Sequence, residues 1–406
     1  MSKSPSFTSS LYWSLPGPSG FVRRLATSVH DARAIALSLP KRDVVGLWDQ
    51  VNEALERAHI EKRVNLNVND DTHLEAEIAL QFGRGVLTAS QLAQFIAGEN
   101  AAVVLRPKGE RAAQRCERYF AEFFKALPDS AGNVRLLFGI RDGSIQEDGR
   151  SGGAHVLAFD GGLSPAEMQA YVGIRTIENS GPGSTTLRTA LICEYAGYDV
   201  QLAEQLISMA DEEIYCLPNN LGQLLEADPL RWSRDGWADG NVRKEGERTF
   251  VHPLREWYLA HHEGPKRQAM EASLRQRCWR ACVKALTPWL EERRADVMRV
   301  LSRPLDSLQE ASGGQLTRKM NDRIFVIERE QVEYNNIVAM ERYGGLVIPP
   351  DERSQLAFMI CQRAKKVRDE LAHLRPPLMA DVLDLISSMD ALLETAPQAT
   401  AARRTA

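Results

Sequence analysis

The sequence has no long apolar run, and this absence excludes a membrane-spanning helix. No stretch approaches the ~20 consecutive apolar residues that such a helix requires. The polar N-terminus also lacks the apolar core of a secretion signal. No Cys-x-x-Cys occurs among the six cysteines, so their spacing predicts reduced thiols rather than a disulfide framework or a zinc site. The protein is therefore expected in the cytoplasm.

A strong charge of one sign is also lacking. The 406 residues carry a formal net charge of −4, which argues against a protein that binds nucleic acid through its overall charge. Residues 271–406 hold 21 Lys and Arg against 19 Asp and Glu, a net charge of +2 that leaves −6 for residues 1–270. Any contact with RNA would have to depend on a local group of cations.

Short apolar runs that alternate with amphipathic stretches predict an α/β domain over residues 11–165. A parallel sheet is covered by helices on both faces, so its strands are apolar throughout rather than alternating. The segment 110–127 has the pattern of a long helix. Besides a strand-like run over 11–16, the predicted strands are 34–39, 101–105, 134–139 and 155–160.

A glycine turn near the N-terminus has the position of a phosphate-binding loop. The strand-like run 11–16 is followed by Gly17-Pro18-Ser19-Gly20 and then by an amphipathic stretch from Phe21. Phe21 and Val22 stand where such a loop has Lys and Ser/Thr. Arg106-Pro107-Lys108 follows the 101–105 strand, where an acidic Walker B pair is expected.

These features resemble a degenerate P-loop ATPase domain of the signalling-ATPase kind. The resemblance implies a scaffold or sensor that binds a nucleotide at most, without hydrolysing it. An unrelated α/β domain with the same turn is the alternative. The candidate nucleotide contacts are Gly17, Ser19, Gly20 and Arg23.

Residues 166–268 are expected to form a small helical lid and an irregular connector. The glycine-containing turn 181–186 favours a turn with Ser/Thr helix caps over an anion site. Helices are predicted over 187–195 and 200–209, and the connector over 217–250. Three histidines, His252, His261 and His262, are expected to be surface or packing residues, because adjacent histidines on a helix point about 100° apart.

From Ala269 onwards, apolar residues recur at helical spacing and predict an up-and-down bundle over residues 269–395. Prolines and glycines divide this region. The first helix is expected to end at Pro304, and others are predicted over 326–343, from Asp351 to Pro376-Pro377, and over 378–393. Residues 1–10 and 396–406 are expected to be flexible ends.

The third bundle helix ends in Arg368-Asp369-Glu370-Leu371-Ala372-His373, shortly before the two prolines. This segment resembles the Arg-x4-6-His signature of HEPN domains, the helical bundles of many bacterial ribonuclease toxins and anti-phage systems. Five positions separate Arg368 from His373, or about 140° on a straight helix, so the two side chains do not share one face. The resemblance implies that two copies place their motifs opposite each other, and a homodimer through the bundle is expected.

The resemblance further implies metal-independent cleavage of RNA, with no cofactor. His373 would exchange a proton with the attacking 2′-hydroxyl or the leaving oxygen. Arg368 would hold the phosphate and its growing negative charge, and Asp369 would orient one of the two. The implied RNA contacts are the neighbouring cations Arg363, Lys365, Lys366 and Arg375.

Two alternatives remain open. The same residues suit a helix end that is stabilised by a histidine in its last turn and by surface ion pairs. The protein would then be a non-catalytic adaptor that contacts partner proteins of a defence assembly. A third hypothesis is an active ATPase in which Arg23 or Arg24 replaces the missing lysine.

Overall fold

A computed structural model describes residues 9–394 of the protein, apart from 41–43, 141–153, 177–181, 216, 218–223, 225–231, 234–239, 246, 263, 265–266 and 321–322. Most of both predicted flexible ends therefore lies outside the described residues. The described chain combines a parallel sheet with many helices, which confirms the mixed α/β and helical class in its coarse form.

The chain forms two compact units. The first comprises Met1–Tyr171, Gly197–Glu204 and Leu225–Tyr258, and the second Val172–Ala196, Gln205–Leu224 and Leu259–Ala406. Among the described residues, no helix has both the length and the apolar character needed to cross a membrane.

The first unit contains a five-stranded parallel sheet. Its strands are β1 (Ala34–Ser38), β2 (Lys62–Val68), β3 (Ala101–Pro107), β4 (Val134–Ile140) and β5 (His155–Ala158). Their order in the sheet is β2-β3-β4-β1-β5. Four of these strands, β1, β3, β4 and β5, confirm the predicted apolar runs. Strands β1, β3 and β4 are interior and are covered on both faces, whereas β5 lies at the edge of the sheet and is half-buried.

Strand β2 was not predicted, because its side chains alternate as those of an edge strand do. Val64 and Val68 are buried, whereas Arg63, Asn65 and Asn67 are exposed. The sequence KRVNLNV therefore lacks the continuous apolar run of its neighbours.

Helices cover both faces of the sheet. On one face, α4 (Leu74–Gln81), α5 (Ala89–Gln94) and α6 (Glu110–Ala126) share a core with strand residues that include Val103, Leu136 and Phe138. Successive residues of a strand face opposite sides of the sheet, so Gly139 faces the side opposite to that of its neighbour Phe138. A Cβ on Gly139 would lie 3.0 Å from the Trp48 ring of α3 (Leu47–Arg57), which places α3 on that second face.

The strand predicted over 11–16 is wrong, since this segment is helical. Helix α1 spans Ser9–Ser14 and helix α2 spans Pro16–Asp31. Proline is favourable at the first helical position, because a backbone N–H at that position has no acceptor within the helix and none is therefore lost. The buried residues Phe21, Val22, Leu25 and Val29 then recur at helical spacing. Gly17-Pro18-Ser19-Gly20 therefore forms the first turn of α2 and not a loop.

The middle of the chain adds α7 (Pro165–Thr176), α8 (Pro182–Ala196), α9 (Val200–Ile207), α10 (Asp211–Tyr215) and α11 (Pro253–His262). The predicted turn before α8 lies largely inside that helix, which begins at Pro182. The predicted irregular connector contains a hairpin, β6 (Val242–Glu245) with β7 (Arg248–Val251), and much of its remainder lies outside the described residues.

The predicted packing role of His252 is confirmed. His252 is fully buried, and its Nδ1 accepts a hydrogen bond from the Leu254 N–H at 3.1 Å. Because Nδ1 accepts, the proton is on Nε2, which lies 3.0 Å from Asp199 Oδ2. His261 and His262 are exposed, as expected for surface residues.

In the second unit, a long helix α12 (Arg267–Val300) is followed by α13 (Ser302–Ala311), α14 (Tyr334–Tyr343), α15 (Glu352–Ala372) and α16 (Met379–Glu394). Helix α15 packs against α12, α14 and α16. Its helical spacing predicts a buried stripe of Leu356, Ile360, Ala364, Val367 and Leu371. The last four are buried, which confirms the stripe there, and Leu356 is half-buried.

Two predicted boundaries in this unit are wrong. Pro304 does not end a helix: α12 ends at Val300, and Pro304 lies in the first turn of α13, where proline is tolerated. The predicted helix over 326–343 begins only at Tyr334. Before it, β8 (Leu316–Met320) and β9 (Arg323–Ile327) form an antiparallel hairpin, because the β-branched and aromatic run Ile324–Ile327 favours a strand.

Candidate active site

The end of helix α15 is a tight turn that presents His373. Leu374 adopts a left-handed backbone with φ of 58°, a conformation that usually requires glycine at this position. The Arg375 N–H then donates to the Glu370 carbonyl at 3.0 Å. The Trp279 indole of α12 donates to the Leu371 carbonyl at 2.9 Å, so the last turn is held against the neighbouring helix.

Arg368 is engaged by two carboxylates on neighbouring parts of the bundle. Its Nη1 lies 3.5 Å from Glu291 Oε1 on α12, and its Nη2 lies 3.3 Å from Glu333 Oε2, directly before α14. The side chain remains 35% exposed. Within the described residues its ion pairs are with these two glutamates and not with Asp369.

His373 lies at the C-terminal cap of α15 and is exposed. In the described part of the chain its imidazole makes no hydrogen bond. Asp369 binds Lys365, with Lys365 Nζ 2.5 Å from Asp369 Oδ2. The structure therefore places Arg368, Asp369 and His373 on one helix end without joining them in a hydrogen-bonded group.

The four predicted RNA contacts are all paired with acidic side chains. Lys365 binds Asp369, and Lys366 Nζ lies 2.7 Å from Asp381 Oδ2. Arg375 Nε lies 2.9 Å from Glu370 Oε2. Arg363 Nη2 lies 3.7 Å from Asp384 Oδ2, and its Nη1 donates to the Ser388 hydroxyl and, at 3.0 Å, to the Asp384 backbone carbonyl. The helix end therefore carries alternating charges rather than a basic patch.

An open cleft of about 560 Å³ lies beside Arg368 in the same unit. The two glutamates that bind Arg368 line it, together with Arg294, whose Nε lies 3.1 Å from Glu291 Oε2. Glu291 is thus shared between two arginines. Local sequence patterns do not identify Glu291 and Glu333, because both are distant from the motif in the chain.

No protein-family model matches this chain, and no curated protein matches its sequence.

Of the predicted nucleotide contacts, Gly17, Ser19 and Gly20 lie at the start of α2, and Arg23 lies about one turn after Gly20. The Gly17 N–H donates to Glu167 Oε1 at 2.5 Å, and a Cβ on Gly17 would lie 2.9 Å from the same oxygen. Glu167 also accepts from the Ser164 N–H at 2.9 Å and from its hydroxyl at 2.6 Å. A carboxylate of the protein itself therefore occupies this helix N-terminus.

A P-loop joins a strand of a parallel sheet to the helix that follows it, and the connection from β1 to α3 has that position here. Gly46, with φ of 75°, precedes α3, and Leu47 and Trp48 stand where a P-loop has Lys and Ser/Thr. Residues 41–43 of this connection lie outside the described residues. The Arg106 guanidinium at the end of β3 lies 4.5 Å from the centre of the Trp48 ring. The described side chains at this position, Leu47, Trp48 and Arg106, are thus bulky or cationic.

A cavity of about 50 Å³ lies at the same edge of the sheet, lined by residues that include Pro40, Gly161 and Tyr198. This volume holds a few water molecules but not a nucleotide. Among the described residues there is also no group of His, Cys, Asp and Glu side chains arranged to hold a metal ion.

Proposed function

We propose that the protein is a metal-independent endoribonuclease of the bacterial toxin or anti-phage class, with its active site at the end of α15. The observation that carries the proposal is the exposed, unengaged imidazole of His373 at a rigid helix end. A half-exposed guanidinium lies less than two helical turns away, at Arg368.

Each group has a defined part in the proposed reaction. His373 accepts the proton of a ribose 2′-hydroxyl, whose oxygen then attacks the adjacent phosphorus. The new O–P bond forms as the bond from phosphorus to the 5′-oxygen breaks, which leaves a 2′,3′-cyclic phosphate and a 5′-oxygen that takes up a proton from a protonated His373. Arg368 stabilises the negative charge that develops on the phosphate oxygens. DNA is not cut, because it has no 2′-hydroxyl.

The proposal includes a second copy of the chain. Arg368 and His373 lie about 140° apart around α15, and the neighbouring cations are neutralised within one chain. A homodimer through the bundle would bring a second His373 and a second Arg368 to one RNA strand. Phosphates would then displace the carboxylates that now bind Arg363, Lys365, Lys366 and Arg375.

Substitution of the two motif residues tests the proposal. Purified protein is expected to cleave single-stranded RNA in the presence of a chelator, and Arg368→Ala and His373→Ala are each expected to abolish cleavage. Lys108→Ala, an exposed lysine of the first unit, is the control and should retain full activity. Cleavage that survives both motif substitutions would refute the proposal.

A non-catalytic adaptor in a multi-protein defence assembly is the second candidate. It is favoured by the pairing of Arg368 and of all four flanking cations with acidic partners. An adaptor predicts that His373→Ala leaves phage protection unchanged. The ribonuclease predicts that the same substitution removes it.

The first unit serves, in this proposal, as a sensor or scaffold that resembles a degenerate P-loop domain. Leu47, Trp48 and Arg106 support this role, because they replace the lysine, the serine or threonine and the Walker B acid of a working P-loop domain. Mg²⁺-ATP turnover by the purified protein that is lost on Arg23→Ala or Arg24→Ala would favour the third hypothesis instead.

A further inference from the structure

One edge of the first unit carries an exposed apolar surface with two cations. Its centre is the pair Phe82 and Phe95, half-buried rings in edge-to-face contact with centroids 5.2 Å apart. Three aliphatic residues within four positions of one of these rings along the chain are 60 to 69% exposed: Leu80, Val86 and Ile96. The apolar–basic surface is defined here as these five residues with Lys62 and Arg84.

The two cations are held on the aromatic rings and not by carboxylates. Lys62 Nζ lies 4.7 Å from the centre of the Phe82 ring and donates to the Gln81 carbonyl at 2.6 Å. The Arg84 guanidinium lies 5.5 Å from the centre of the Phe95 ring. Neither cation has a carboxylate partner within the described residues, in contrast to the cations at the end of α15.

The backbone that carries this surface is well fixed. Helix α4 ends in a turn in which the Arg84 N–H donates to the Ala79 carbonyl at 2.9 Å and Gly83 adopts φ of 66°. On the other side, the Asn133 side chain accepts from the Ala97 N–H at 2.8 Å and donates to the Ala97 carbonyl at 3.1 Å. The surface is therefore preformed, which lowers the entropy lost when a partner binds.

We propose that the apolar–basic surface docks a segment of a partner protein that carries apolar side chains flanked by carboxylates. The exposed aliphatic groups favour an apolar partner, since clustered exposed apolar residues mark interaction sites. Lys62 and Arg84 select acidic flanks by charge complementarity. A membrane surface fits less well, because anionic lipids are bound by clusters of about four to eight cations, and this surface has two.

A designed peptide tests the proposal on the full-length protein. The probe is a fluorescent amphipathic peptide of about 15 residues, with leucines at helical spacing on one face and glutamates on the other. Its fluorescence anisotropy should show saturable binding, which a matched peptide with lysines in place of glutamates should not show. Lys62→Glu with Arg84→Glu should weaken binding about tenfold or more. Leu80→Ser with Ile96→Ser should weaken it as well.

A control double variant reverses two positive charges elsewhere in the first unit, as many as the Lys62→Glu and Arg84→Glu pair reverses. Lys108→Glu with Lys125→Glu changes two exposed lysines and should leave peptide binding unchanged, while circular dichroism confirms that every variant is folded. No saturable binding, or equal losses in the control, would overturn the proposal. Binding to phosphatidylserine vesicles through Lys62 and Arg84, without binding to the peptide, would also overturn it and indicate a membrane surface.

Discussion

The Arg368 guanidinium lies 3.3 Å from the Glu333 carboxylate, and Glu291 approaches its other nitrogen at 3.5 Å. A guanidinium binds carboxylates and phosphates through the same planar set of donors. The two glutamates therefore compete with any RNA phosphate for Arg368. Substitution of these glutamates therefore tests the proposed ribonuclease while Arg368 and His373 stay unchanged.

Glu291→Gln with Glu333→Gln is expected to raise RNA cleavage. The amides keep the shape of the side chains but remove the competing charge, so kcat/KM for RNA should rise about tenfold. Glu292→Gln is the matched control on the exposed side of α12 and should have no effect. A fall in kcat/KM would mean that the two carboxylates position Arg368 instead of competing for it.

Leu374→Gly is expected to stabilise the bundle. Leu374 is 70% exposed and adopts φ of 58°, so glycine relieves the left-handed strain and loses little buried area. The free energy of unfolding should rise by about 1 kcal/mol in urea denaturation. Leu374→Ala keeps the Cβ that causes the strain and should give no such gain. An equal gain from both substitutions would contradict this explanation.

Glu167→Gln is expected to destabilise the first unit in a pH-dependent way. Burial of Glu167 disfavours its charge, but hydrogen bonds from Ser164 and Gly17 outweigh burial and hold its pKa below the usual value. Because the folded pKa is lowered, the carboxylate stabilises the fold above the unfolded pKa, and this contribution is lost as pH falls through the folded pKa.

The measurement is urea denaturation of the wild-type protein and of the Glu167→Gln variant at several pH values between neutral and acidic. The wild-type protein should be the more stable at neutral pH, and the difference should shrink on acidification. Glu77→Gln, at an exposed position of α4, should show no comparable difference. A difference for Glu167→Gln that stays constant with pH would argue against a role for the charge.

Cys278 is expected to react with alkylating reagents before the other cysteines that the structure describes. A hydrogen bond from the Cys282 thiol lowers the pKa of Cys278 despite burial, and the Tyr195 hydroxyl adds to this effect. Burial raises the pKa of Cys116 and of Cys193 to about 12, which leaves almost no reactive thiolate.

Peptide mass spectrometry after timed exposure to iodoacetamide would identify the order of modification. Cys278→Ser should remove the fast phase at that position and leave Cys116 slow until the protein is unfolded. Equal rates at Cys278 and Cys116 in the native protein would contradict the prediction. Cys216 lies outside the described residues and has to be followed separately.

The sequence predicts the interior strands and the stripe of α15 correctly because each depends on a local pattern. Ala101–Leu105 is apolar at every position, and Ile360 to Leu371 repeats at helical spacing. The pattern fails at 11–16, because a short apolar run suits a strand and a helix equally well. It fails at β2 for another reason: an edge strand alternates with polar residues, and only its pairing with β3 identifies it.

The sequence likewise predicts only part of the candidate site. The adjacency of Arg368, Asp369 and His373 to a helix end follows from the chain itself, as does the stop imposed by Pro376 and Pro377. The carboxylates that bind Arg368 come from other helices, so no local pattern indicates them.

By itself, the sequence determined the class of fold, the apolar faces of the helices and the place of the His373 motif, because spacing along the chain sets which side chains share a face. Tertiary structure alone decided that Glu167 occupies the N-terminus of α2 and that Glu291 and Glu333 bind Arg368. These contacts join residues far apart in the chain, and hydrogen bonds and ion pairs depend on distances that only the packed helices and strands define.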